Sequence, residues 1–404
     1  MIDFFTLLTR QNVLSVAVLI CYSIIFSFTC ISLIIIPRRY NKNSKQKSVS
    51  SQLDKSIVPP VTILRPLKGI DTNLYKNLES SFMQDYPQFE VIFVVKDSND
   101  DAIHVVKRLQ RAYPNVDSSL IIGDCNDVGV NPKVNNLVQG YNKAKYDIIW
   151  IADSNVSVDE GCCGRSVDEL CKDRVGLVHH LPIGIDATSF GSRLEMAFLN
   201  IVHAKMYVAI NWLAPASCII GKSNMFRKSD LADVGGLKYF GKYMSEDNFI
   251  ALHLWNKGLK HRMTTDCAYQ SLGSNNTKDF LNRRSRWGRV RKYAVPAATL
   301  IEPITESLVL GLCFSLALRH FFGFNVYLTL ILHFLFWFTS DYLILKTFNP
   351  LEVNAIEFWL SWLFREITAL PVYCFAISGS CVNWRGKTFH LLSDGTVTLK
   401  VEKS

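Results

Sequence analysis

A carboxylate pair and a basic, aromatic segment are the parts of this sequence best suited to chemistry. The carboxylates are Glu246 and Asp247, and the basic segment is residues 279–291, DFLNRRSRWGRVR. A carboxylate such as Asp247 can act as a general base that takes a proton from an acceptor hydroxyl. Clustered guanidinium groups can hold a diphosphate and stabilise it as it departs. An apolar, membrane-length stretch follows almost at once, and this layout predicts the transfer of a group from a negatively charged donor to a lipid-side acceptor.

Asp247 has two interpretations. A single base is what an inverting transfer requires, whereas a retaining hydrolase needs a second, nucleophilic carboxylate about 5 Å away. The alternative is structural: Ser245 would cap a helix whose first turn carries Glu246 and Asp247, because acids favour the positive end of a helix dipole.

The spacing of the large side chains in the basic segment predicts one functional helix face. Arg283, Arg286, Trp287 and Val290 recur at i, i+3, i+4 and i+7. Attraction of a basic cluster to anionic lipid would explain the charge, but not the tryptophan or the arginine spacing. The net charge of +9 by itself also permits nucleic acid. Nucleic acid is nevertheless not an expected partner, because a membrane-length apolar stretch begins within a few residues.

Two further acids lie just after apolar runs that are predicted to be strands. Asp97 comes after residues 90–95, EVIFVV, with Lys96 between, and Asp153 comes after residues 147–152, DIIWIA. Carboxylates at such positions can bind a metal-bridged diphosphate or a nucleoside, and they can also close turns or cap helices. Asp153 stands where a DxD motif has its first acid, but the third residue is Asn155, so only one carboxylate is available locally.

Lys133 lies at the predicted start of a helix, in the sequence Asn131-Pro132-Lys133. A cation at this position is unfavourable, because the helix dipole already places positive charge there. A bound phosphate would compensate for that charge. The alternative is a solvated lysine.

Strands alternate with helices through the middle of the chain. This alternation predicts an α/β fold with a mostly parallel sheet and helices on both faces. Ligands of such sheets bind at the carboxyl ends of the strands, where Asp97 and Asp153 are expected. The predicted strands are 61–64, 90–95, 120–122 and 147–152, and the predicted helices are 74–83, 101–113 and 134–145.

Apolar stretches at both ends predict a membrane protein. Residues 13–36 contain no charged side chain, and as a helix they can cross a hydrocarbon core of about 30 Å. The basic residues that follow predict a lumenal N-terminus, residues 1–12, and a cytosolic region after residue 37. The remaining predicted parts are a polar linker, 37–58, a catalytic domain, 59–298, a membrane region, 299–380, and a C-terminal tail, 381–404.

Within the membrane region, residues 307–324 and 326–345 are predicted spans. A third apolar segment, 355–378, contains Arg365 and Glu366 in its middle. An intramembrane ion pair is costly unless it is shielded. The third segment is therefore expected either to cross the membrane with its charges enclosed or to lie in the interface.

In combination these motifs resemble those of the ceramide glucosyltransferases, membrane-bound nucleotide-sugar transferases of the inverting GT-A type. The resemblance covers nearly the whole chain, as far as residues 384–386, and includes the segments 65–69, 131–136 and 176–179. The family pattern is three aspartates followed by (Q/R)xxRW. The matching residues, in order, are Asp97, Asp153, Asp247, Arg283, Arg286 and Trp287.

The resemblance implies that glucose is transferred from UDP-glucose to the primary hydroxyl of ceramide, giving β-glucosylceramide and UDP. It implies that Asp97 helps to hold the uridine, that Asp153 holds the diphosphate through Mg²⁺ or Mn²⁺, and that Asp247 is the base. Family members act on the cytosolic face of Golgi or nearby ER membranes. The resemblance also implies that the donor or acceptor is contacted by Arg283, Arg286, Trp287 and His203. Lys133 is a further predicted contact of the donor.

Other classes of protein share parts of this pattern. A processive synthase of the chitin, cellulose or hyaluronan type has the same acids and basic motif, but it needs several spans to build a polymer channel. A polyprenyl-phosphate sugar transferase would need a phosphorylated acceptor. A membrane adaptor without enzymatic activity would use the basic segment only to bind anionic lipid.

Overall fold

The computed structural model describes residues 10–41, 45–123, 128–348, 354–384 and 386–400. At its centre is one eight-stranded sheet. The strands are β1 Val61–Leu67, β2 Phe89–Val95, β3 Ser118–Ile122, β4 Ile148–Ala152, β5 Val156–Ser157, β6 Val175–Ala187, β7 Ser223–Arg227 and β8 Lys260–Gly273. Their order across the sheet is β3-β2-β1-β4-β7-β6-β8-β5.

The first half of the sheet is parallel, as the alternation of strands and helices predicts. β1 pairs in parallel with β2 on one side and with β4 on the other, and β2 pairs in parallel with β3. Val91 and Phe93 of β2 pack into one core, and Ile92 and Val94 pack into another. Because successive side chains of a strand point to opposite faces, the continuous apolar runs identify strands that are covered on both sides.

Helices cover both faces of this parallel region. One core contains residues of α2 (Leu74–Phe82), α3 (Ala102–Ala112) and α5 (Cys162–Leu170), and the other contains residues of α4 (Pro132–Lys143) and α8 (Glu246–Asn256). The predicted helices at 74–83, 101–113 and 134–145 correspond to α2, α3 and α4. The helices are α1 Arg10–Arg39, α2 Leu74–Phe82, α3 Ala102–Ala112, α4 Pro132–Lys143, α5 Cys162–Leu170, α6 Phe190–Ala197, α7 Ala204–Leu213, α8 Glu246–Asn256, α9 Thr277–Ala294, α10 Pro296–Ile301, α11 Ser307–Phe322, α12 Val326–Phe348 and α13 Ala355–Ser378.

The second half of the sheet is mixed. β7 is antiparallel to both β4 and β6, while β6 runs parallel to β8. The β4–β7 register places Ala152 opposite Ser223. The backbone N–H of Asp153 then donates to the carbonyl oxygen of Lys222 at 3.0 Å, which extends the ladder by one pair. Asp153 and Lys222 are thereby brought side by side at the end of β4.

Among the described residues, three helices are long and apolar enough to cross a membrane: Gln11–Arg39 within α1, then α12 and α13. The apolar helix α11 is shorter, with 16 residues. A membrane-spanning helix needs about 20 residues. The helix within the segment predicted as a span at 307–324 is shorter than this length, whereas the helix at 355–378 reaches it.

The charged pair inside α13 is enclosed by protein. Arg365 lies 2.5 Å from Glu306 and also contacts Glu366. Glu366 in turn accepts a hydrogen bond from the backbone N–H of Leu308 at 3.1 Å. Charged groups in a membrane-length helix are tolerated when they are paired inside the bundle, so α13 meets this condition without an interfacial position.

The segment predicted as a tail contains a second, three-stranded antiparallel sheet. Its strands are β9 Cys381–Trp384, β10 Lys387–Leu391 and β11 Val397–Leu399. The apolar side of this C-terminal sheet packs against Val130, Met244 and Val290. Thr396 also forms a β-bridge with Tyr243. The chain therefore returns from the last membrane-length helix onto the central domain, and residues 381–400 are a packed element instead of a free tail.

Candidate active site

Asp247 lies in the first turn of α8, against the loop that precedes β7. A Cβ atom built on Gly221 of that loop would lie 2.8 Å from Oδ2 of Asp247, so the loop can approach the carboxylate this closely only with glycine. Ser245 is the residue before the helix, and in the described structure its side chain makes no capping hydrogen bond. The structural interpretation of this motif is therefore limited to the favourable helix dipole.

The surroundings of Asp247 raise its pKa from 3.8 to about 6. Burial is the largest cause, the neighbouring carboxylate of Glu246 adds to it, and the ammonium group of Lys133 opposes it. A base whose pKa lies close to the working pH is efficient in proton transfer. The environment of Asp247 therefore suits a general base.

Lys133 is held between two carboxylates at the start of α4. Its Nζ lies 3.0 Å from Oδ1 of Asp153 and 2.9 Å from Oε1 of Glu246. Burial would lower the pKa of Lys133, but the two carboxylates raise it above its usual range. These carboxylates compensate for the unfavourable helix position of the cation. The alternative of a solvated lysine is wrong, and no phosphate is needed to explain the position.

Asn131 connects the start of α4 to the start of α8. Its side-chain oxygen accepts a hydrogen bond from the backbone N–H of Lys133 at 2.8 Å, which caps α4. Its side-chain amide donates to Oε2 of Glu246 at 2.9 Å and to the carbonyl oxygen of Tyr243 at 2.8 Å. One buried asparagine thus fixes two helix N-termini relative to each other.

Asp153, at the end of β4, is bound by two lysines. Its Oδ1 lies 3.0 Å from Nζ of Lys133, and its Oδ2 lies 3.0 Å from Nζ of Lys222. Burial alone would raise the pKa of Asp153, but the two ammonium groups lower it below its ordinary value. The carboxylate is therefore ionised at physiological pH. We call the set of Lys133, Asp153, Lys222, Glu246 and Asp247 the acid–lysine cluster.

A divalent cation bound to Asp153 does not fit this arrangement. Mg²⁺ and similar hard cations take several oxygen ligands, whereas both oxygens of Asp153 contact ammonium groups. Asn155, at the position of the missing second acid, accepts a hydrogen bond from Lys222 at 3.4 Å. Within the described ranges, no group of three or more His, Cys, Asp or Glu side chains is arranged to hold a metal ion. The positive charges beside Asp153 are those of the two lysines.

Asp97 is exposed at the same edge of the sheet. It comes shortly after β2, and β1 lies between β2 and β4, so two strand spacings, about 10 Å, separate the strand ends that carry Asp97 and Asp153. Its Oδ1 accepts a hydrogen bond from the backbone N–H of Asn99 at 3.0 Å. This bond closes a turn, as the structural interpretation of the residue expects. Asp97 therefore flanks the acid–lysine cluster.

Two residues of the predicted face of α9, Arg283 and Trp287, join Arg284 in a second cluster around Glu195 of α6, whereas Val290 of that face packs on the C-terminal sheet. Nη1 of Arg283 lies 3.5 Å from Oε1 of Glu195, and Nη2 of Arg284 lies 3.1 Å from the same atom. The guanidinium carbon of Arg284 also lies 3.7 Å from the ring centre of Phe198 and 4.1 Å from that of Trp287. Arg286 is partly buried on the same helix. We call Glu195, Phe198, Arg283, Arg284 and Trp287 the arginine–aromatic cluster.

Other cations of α9 bind the membrane-proximal part of the chain. Arg289 donates to the carbonyl oxygen of Cys381 at 2.8 Å, and Lys292 donates to that of Ile377 at 2.8 Å. Arg291 lies 2.7 Å from Glu302. Cations near the carboxyl end of a helix stabilise its last carbonyl groups, so part of the basic segment attaches α9 to α13.

His203 lies next to the arginine–aromatic cluster. It ends the π-helix Phe198–His203, and its ring stacks on that of Tyr207 with a centroid distance of 5.0 Å. Burial, together with the charges of Arg284 and Arg291, lowers the pKa of His203 to about 3. The imidazole is therefore neutral at physiological pH. Single π-turns occur frequently at functional sites.

Tyr207 connects His203 to the loop beside Asp247. Its hydroxyl accepts a hydrogen bond from the backbone N–H of Ile220 at 3.2 Å and is bonded to Nδ1 of His179 at 2.6 Å. Ile220 precedes Gly221, the residue that abuts Asp247. A continuous set of contacts therefore runs from the arginine–aromatic cluster through His203 to the carboxylate of Asp247.

The structure groups the predicted site residues in two sets. Lys133, Asp153 and Asp247 share the acid–lysine cluster, flanked by Asp97, while Arg283, Arg286, Trp287 and His203 lie in or beside the arginine–aromatic cluster. Sequence reasoning missed Lys222, Glu195 and Tyr207. No local pattern marks Lys222, because only the pairing of β7 with β4 brings it to Asp153. Glu246 was visible in the sequence beside Asp247, but its contact with Lys133 depends on the packing of α4 against α8.

Comparison with known sequences shows the family of this chain. The sequence pattern of glycosyl transferase family 21 matches residues 18–397. A ceramide glucosyltransferase of Komagataella phaffii is 37% identical, over 83% of this chain and 84% of the relative. Ceramide glucosyltransferase 3 of Caenorhabditis elegans is 33% identical, over 92% of this chain and 81% of the relative.

Comparison with solved structures confirms the fold. A mannosyltransferase from Pyrobaculum calidifontis, solved in complex with GDP-Man and Mn²⁺, superimposes with a TM-score of 0.52. The match covers 90% of this chain and 98% of that protein, at 16% sequence identity. The predicted GT-A type of α/β fold is therefore confirmed, together with apolar helices near both ends.

Proposed function

The chain belongs to glycosyl transferase family 21, the family of ceramide glucosyltransferases, and we propose that it transfers glucose from UDP-glucose to ceramide with inversion. The products are β-glucosylceramide and UDP. The observation that carries the mechanism is the position of Asp247, whose pKa is raised to about 6 and which lies beside a lysine-bound aspartate at the carboxyl edge of the sheet.

In the proposed reaction Asp247 takes the proton of the primary hydroxyl of ceramide. The hydroxyl oxygen attacks C1 of glucose from the face opposite the diphosphate, and the bond between C1 and the phosphate oxygen breaks. The electron pair of that bond leaves with UDP, and the proton stays on Asp247. One base is sufficient for this single displacement, which inverts the configuration at C1.

The donor is held at the carboxyl edge of the sheet. Asp97 contacts the uridine at the flank of the sheet edge, and the acid–lysine cluster faces the diphosphate. Positive charge opposite the departing UDP comes from Arg286, and from Lys133 and Lys222 when the diphosphate takes the place of their carboxylate partners. Arginine and lysine stabilise such charge by hydrogen bonds that strengthen as the bond breaks. Arg283 and Trp287 form the adjoining side of the site. His203, which is neutral, holds that side in position through its contact with Tyr207.

A divalent cation would supply the same electrostatic stabilisation if it were bound. The similar mannosyltransferase was solved with Mn²⁺, and Asp153 is the residue that the family resemblance assigns to such a role. Because both of its oxygens contact lysines, the proposed donor site relies on the charges of this chain itself.

The membrane orientation follows from the charge of the chain. Arg38 and Arg39 lie in the last turn of α1, and basic residues mark the cytosolic end of a span. We therefore place the central domain on the cytosolic face, and the resemblance to ceramide glucosyltransferases favours a Golgi or ER membrane. There UDP-glucose would arrive from the cytosol, and ceramide from the bilayer.

A donor-by-acceptor screen with purified protein in lipid nanodiscs tests this function. The donors are UDP-glucose, UDP-galactose and GDP-mannose, and the acceptors are ceramide and a polyprenyl phosphate. We expect β-glucosylceramide from UDP-glucose and ceramide, with the anomeric configuration read by NMR. Asp247→Asn should reduce the rate by roughly 10²–10⁴-fold while the fold is retained. A sugar polymer, a glycosylated polyprenyl phosphate, or no product from folded protein would overturn the proposal.

A further inference from the structure

A small cavity lies between the basic helix α9 and the membrane-length helix α13. Its volume is about 50 Å³, and residues 302–306 close one side. The two helices approach closely at one end of it, where a Cβ atom built on Gly288 would lie 2.9 Å from Cβ of Ala376. Its lining includes Phe198, Phe280, Arg284, Arg291, Glu302 and Arg365. The cavity thus combines aromatic walls with charged groups beside a segment able to cross the bilayer.

Every guanidinium group in this lining already has a carboxylate partner. Arg284 lies 3.1 Å from Glu195, and Arg291 lies 2.7 Å from Glu302. Arg365 lies 2.5 Å from Glu306 and also contacts Glu366. Arg283 shares Glu195 with Arg284, so four arginines face four carboxylates, and the lining offers no excess positive charge to a further anion. Such a site favours an uncharged ligand over a phosphorylated one.

Hydrogen-bonding capacity nevertheless remains unused in the lining. Among the described residues, the Nε atoms of Arg284 and Arg365 and the Oε2 atom of Glu302 are buried without a hydrogen-bond partner. Arg365 is only 3% exposed. Buried polar groups without partners are costly and rare in folded proteins. The lining therefore presents two donors and one acceptor, a set that a ligand with a carbonyl oxygen and a hydroxyl group would satisfy.

The cavity is connected to the candidate base. Phe198 lines the cavity and begins the π-helix that ends at His203. His203 stacks on Tyr207, whose hydroxyl is bonded to the loop beside Asp247. On the other side, Val372 and Tyr373 of α13 contribute apolar walls. A lipid whose chains lie along α13 would thus have its polar head at the end of this set of contacts that leads to Asp247.

We propose that this cavity is the acceptor entrance and that it receives the uncharged polar head of a lipid bearing an amide and hydroxyl groups. The proposal rests on the proposed function and assigns its acceptor side. The arginines donate to the carbonyl oxygen of the amide, and Glu302 accepts from a hydroxyl group. The cavity widens when the lipid enters between α9 and α13, as the acyl chains remain in the bilayer.

Filling the cavity tests this assignment. Ala369 lines the cavity on α13, whereas the neighbouring Leu370 is 41% exposed on the same helix. Ala369→Phe should raise KM for a short-chain ceramide by about tenfold or more, the usual effect of one mismatched group in a pocket. It should leave KM for UDP-glucose and the slow hydrolysis of UDP-glucose by water unchanged. The matched control, Leu370→Phe, should change none of these values.

The outcomes separate the cavity from the function as a whole. If the wild-type protein forms glucosylceramide but Ala369→Phe has an unchanged KM for ceramide, only the cavity assignment is refuted. An equal rise of KM for UDP-glucose would also refute it. If the wild-type protein forms no glucosylceramide, the proposed function fails. Should Ala369→Phe prove unstable in a thermal shift assay, Val372→Phe fills the same cavity and is held to the same outcomes.

Competition with charged lipids supplies an independent test. A ceramide analogue without the primary hydroxyl keeps the amide, so it should compete with ceramide at similar concentrations, and Ala369→Phe should weaken this competition. Phosphatidic acid or a polyprenyl phosphate in the same nanodiscs should not compete, because the lining has no excess positive charge. If either phosphorylated lipid competes with ceramide and Ala369→Phe relieves this competition, the assignment of an uncharged head is contradicted.

Discussion

The most informative perturbation of the acid–lysine cluster is Glu246→Gln. Glu246 is one of the causes of the raised pKa of Asp247, second to burial. It also binds Lys133 at 2.9 Å. The substitution removes a like charge next to Asp247 and frees Lys133 to interact with it more strongly. Both changes favour the ionised carboxylate, so the pKa of Asp247 should fall.

The structure also bounds the size of this effect. The pKa of Asp247 lies at about 6 against an ordinary value of 3.8, a difference worth about 3 kcal/mol at about 1.4 kcal/mol per pKa unit. Burial is the larger cause, and Glu246→Gln leaves it in place. We therefore expect the pKa of Asp247 to fall by no more than about one unit, or about 1.4 kcal/mol. Glutamine retains an oxygen that can accept the hydrogen bond from Asn131.

The assay is the pH dependence of kcat/KM, which reports the essential groups of the free enzyme. In the wild-type protein the rate should fall at acid pH with a midpoint near 6, because Asp247 must be ionised to act as a base. In Glu246→Gln this midpoint should move to lower pH, whereas the exposed Glu160→Gln should leave it unchanged. A midpoint that stays in place or moves to higher pH would refute the electrostatic role assigned to Glu246.

Three further predictions concern stability, cations and the C-terminal sheet. Because folding raises the pKa of Asp247, the ionised form of this residue destabilises the protein above that pKa. Asp247→Asn should therefore raise the melting temperature at pH 7.5 but have little effect near pH 4. A lower melting temperature of the variant at pH 7.5 would contradict this sign. Removal of divalent cations with EDTA should lower the turnover of UDP-glucose and ceramide less than tenfold, because lysines already bind both oxygens of Asp153. A complete loss of turnover that Mn²⁺ restores would show instead that a cation displaces the two lysines. Phe389→Ala opens the core of the C-terminal sheet, which packs on Met244 and Val290, at a cost of about 3–5 kcal/mol. Phe389→Ala should reduce kcat per folded molecule and expose residues 381–400 to trypsin, whereas the control Leu399→Ala, on the exposed side of the sheet, should do neither. An unchanged kcat in Phe389→Ala would refute a positioning role of the C-terminal sheet.

The elements predictable from the sequence are those whose signals are local. The apolar runs 90–95 and 147–152 identify β2 and β4, since a strand covered on both faces needs apolar residues at every position. Asn131-Pro132 identifies the start of α4, because asparagine caps a helix and proline fits its first turn. Because the predicted strands run parallel, Asp97 and Asp153, which follow two of them, are then expected at the same edge of the sheet.

Features that depend on long-range pairing could not be predicted in this way. Lys222 reaches Asp153 only through the antiparallel pairing of β7 with β4. The arginines of α9 read as a cradle for diphosphate, but Arg283, Arg284 and Arg291 contact carboxylates that come from distant segments or the following turn. The C-terminal sheet was read as a tail, because its short strands become stable only by packing against Met244 and Val290.

The distance between Asp247 and the acceptor hydroxyl, measured by cryo-electron microscopy of the protein in nanodiscs with UDP and ceramide, tests the proposed mechanism most directly. We expect a carboxylate oxygen of Asp247 within about 2.6–3.2 Å of the primary hydroxyl, as proton transfer requires, with the diphosphate beside Lys133 and Lys222 and the lipid chains between α9 and α13. A ceramide bound elsewhere, with its hydroxyl out of reach of Asp247, would contradict it.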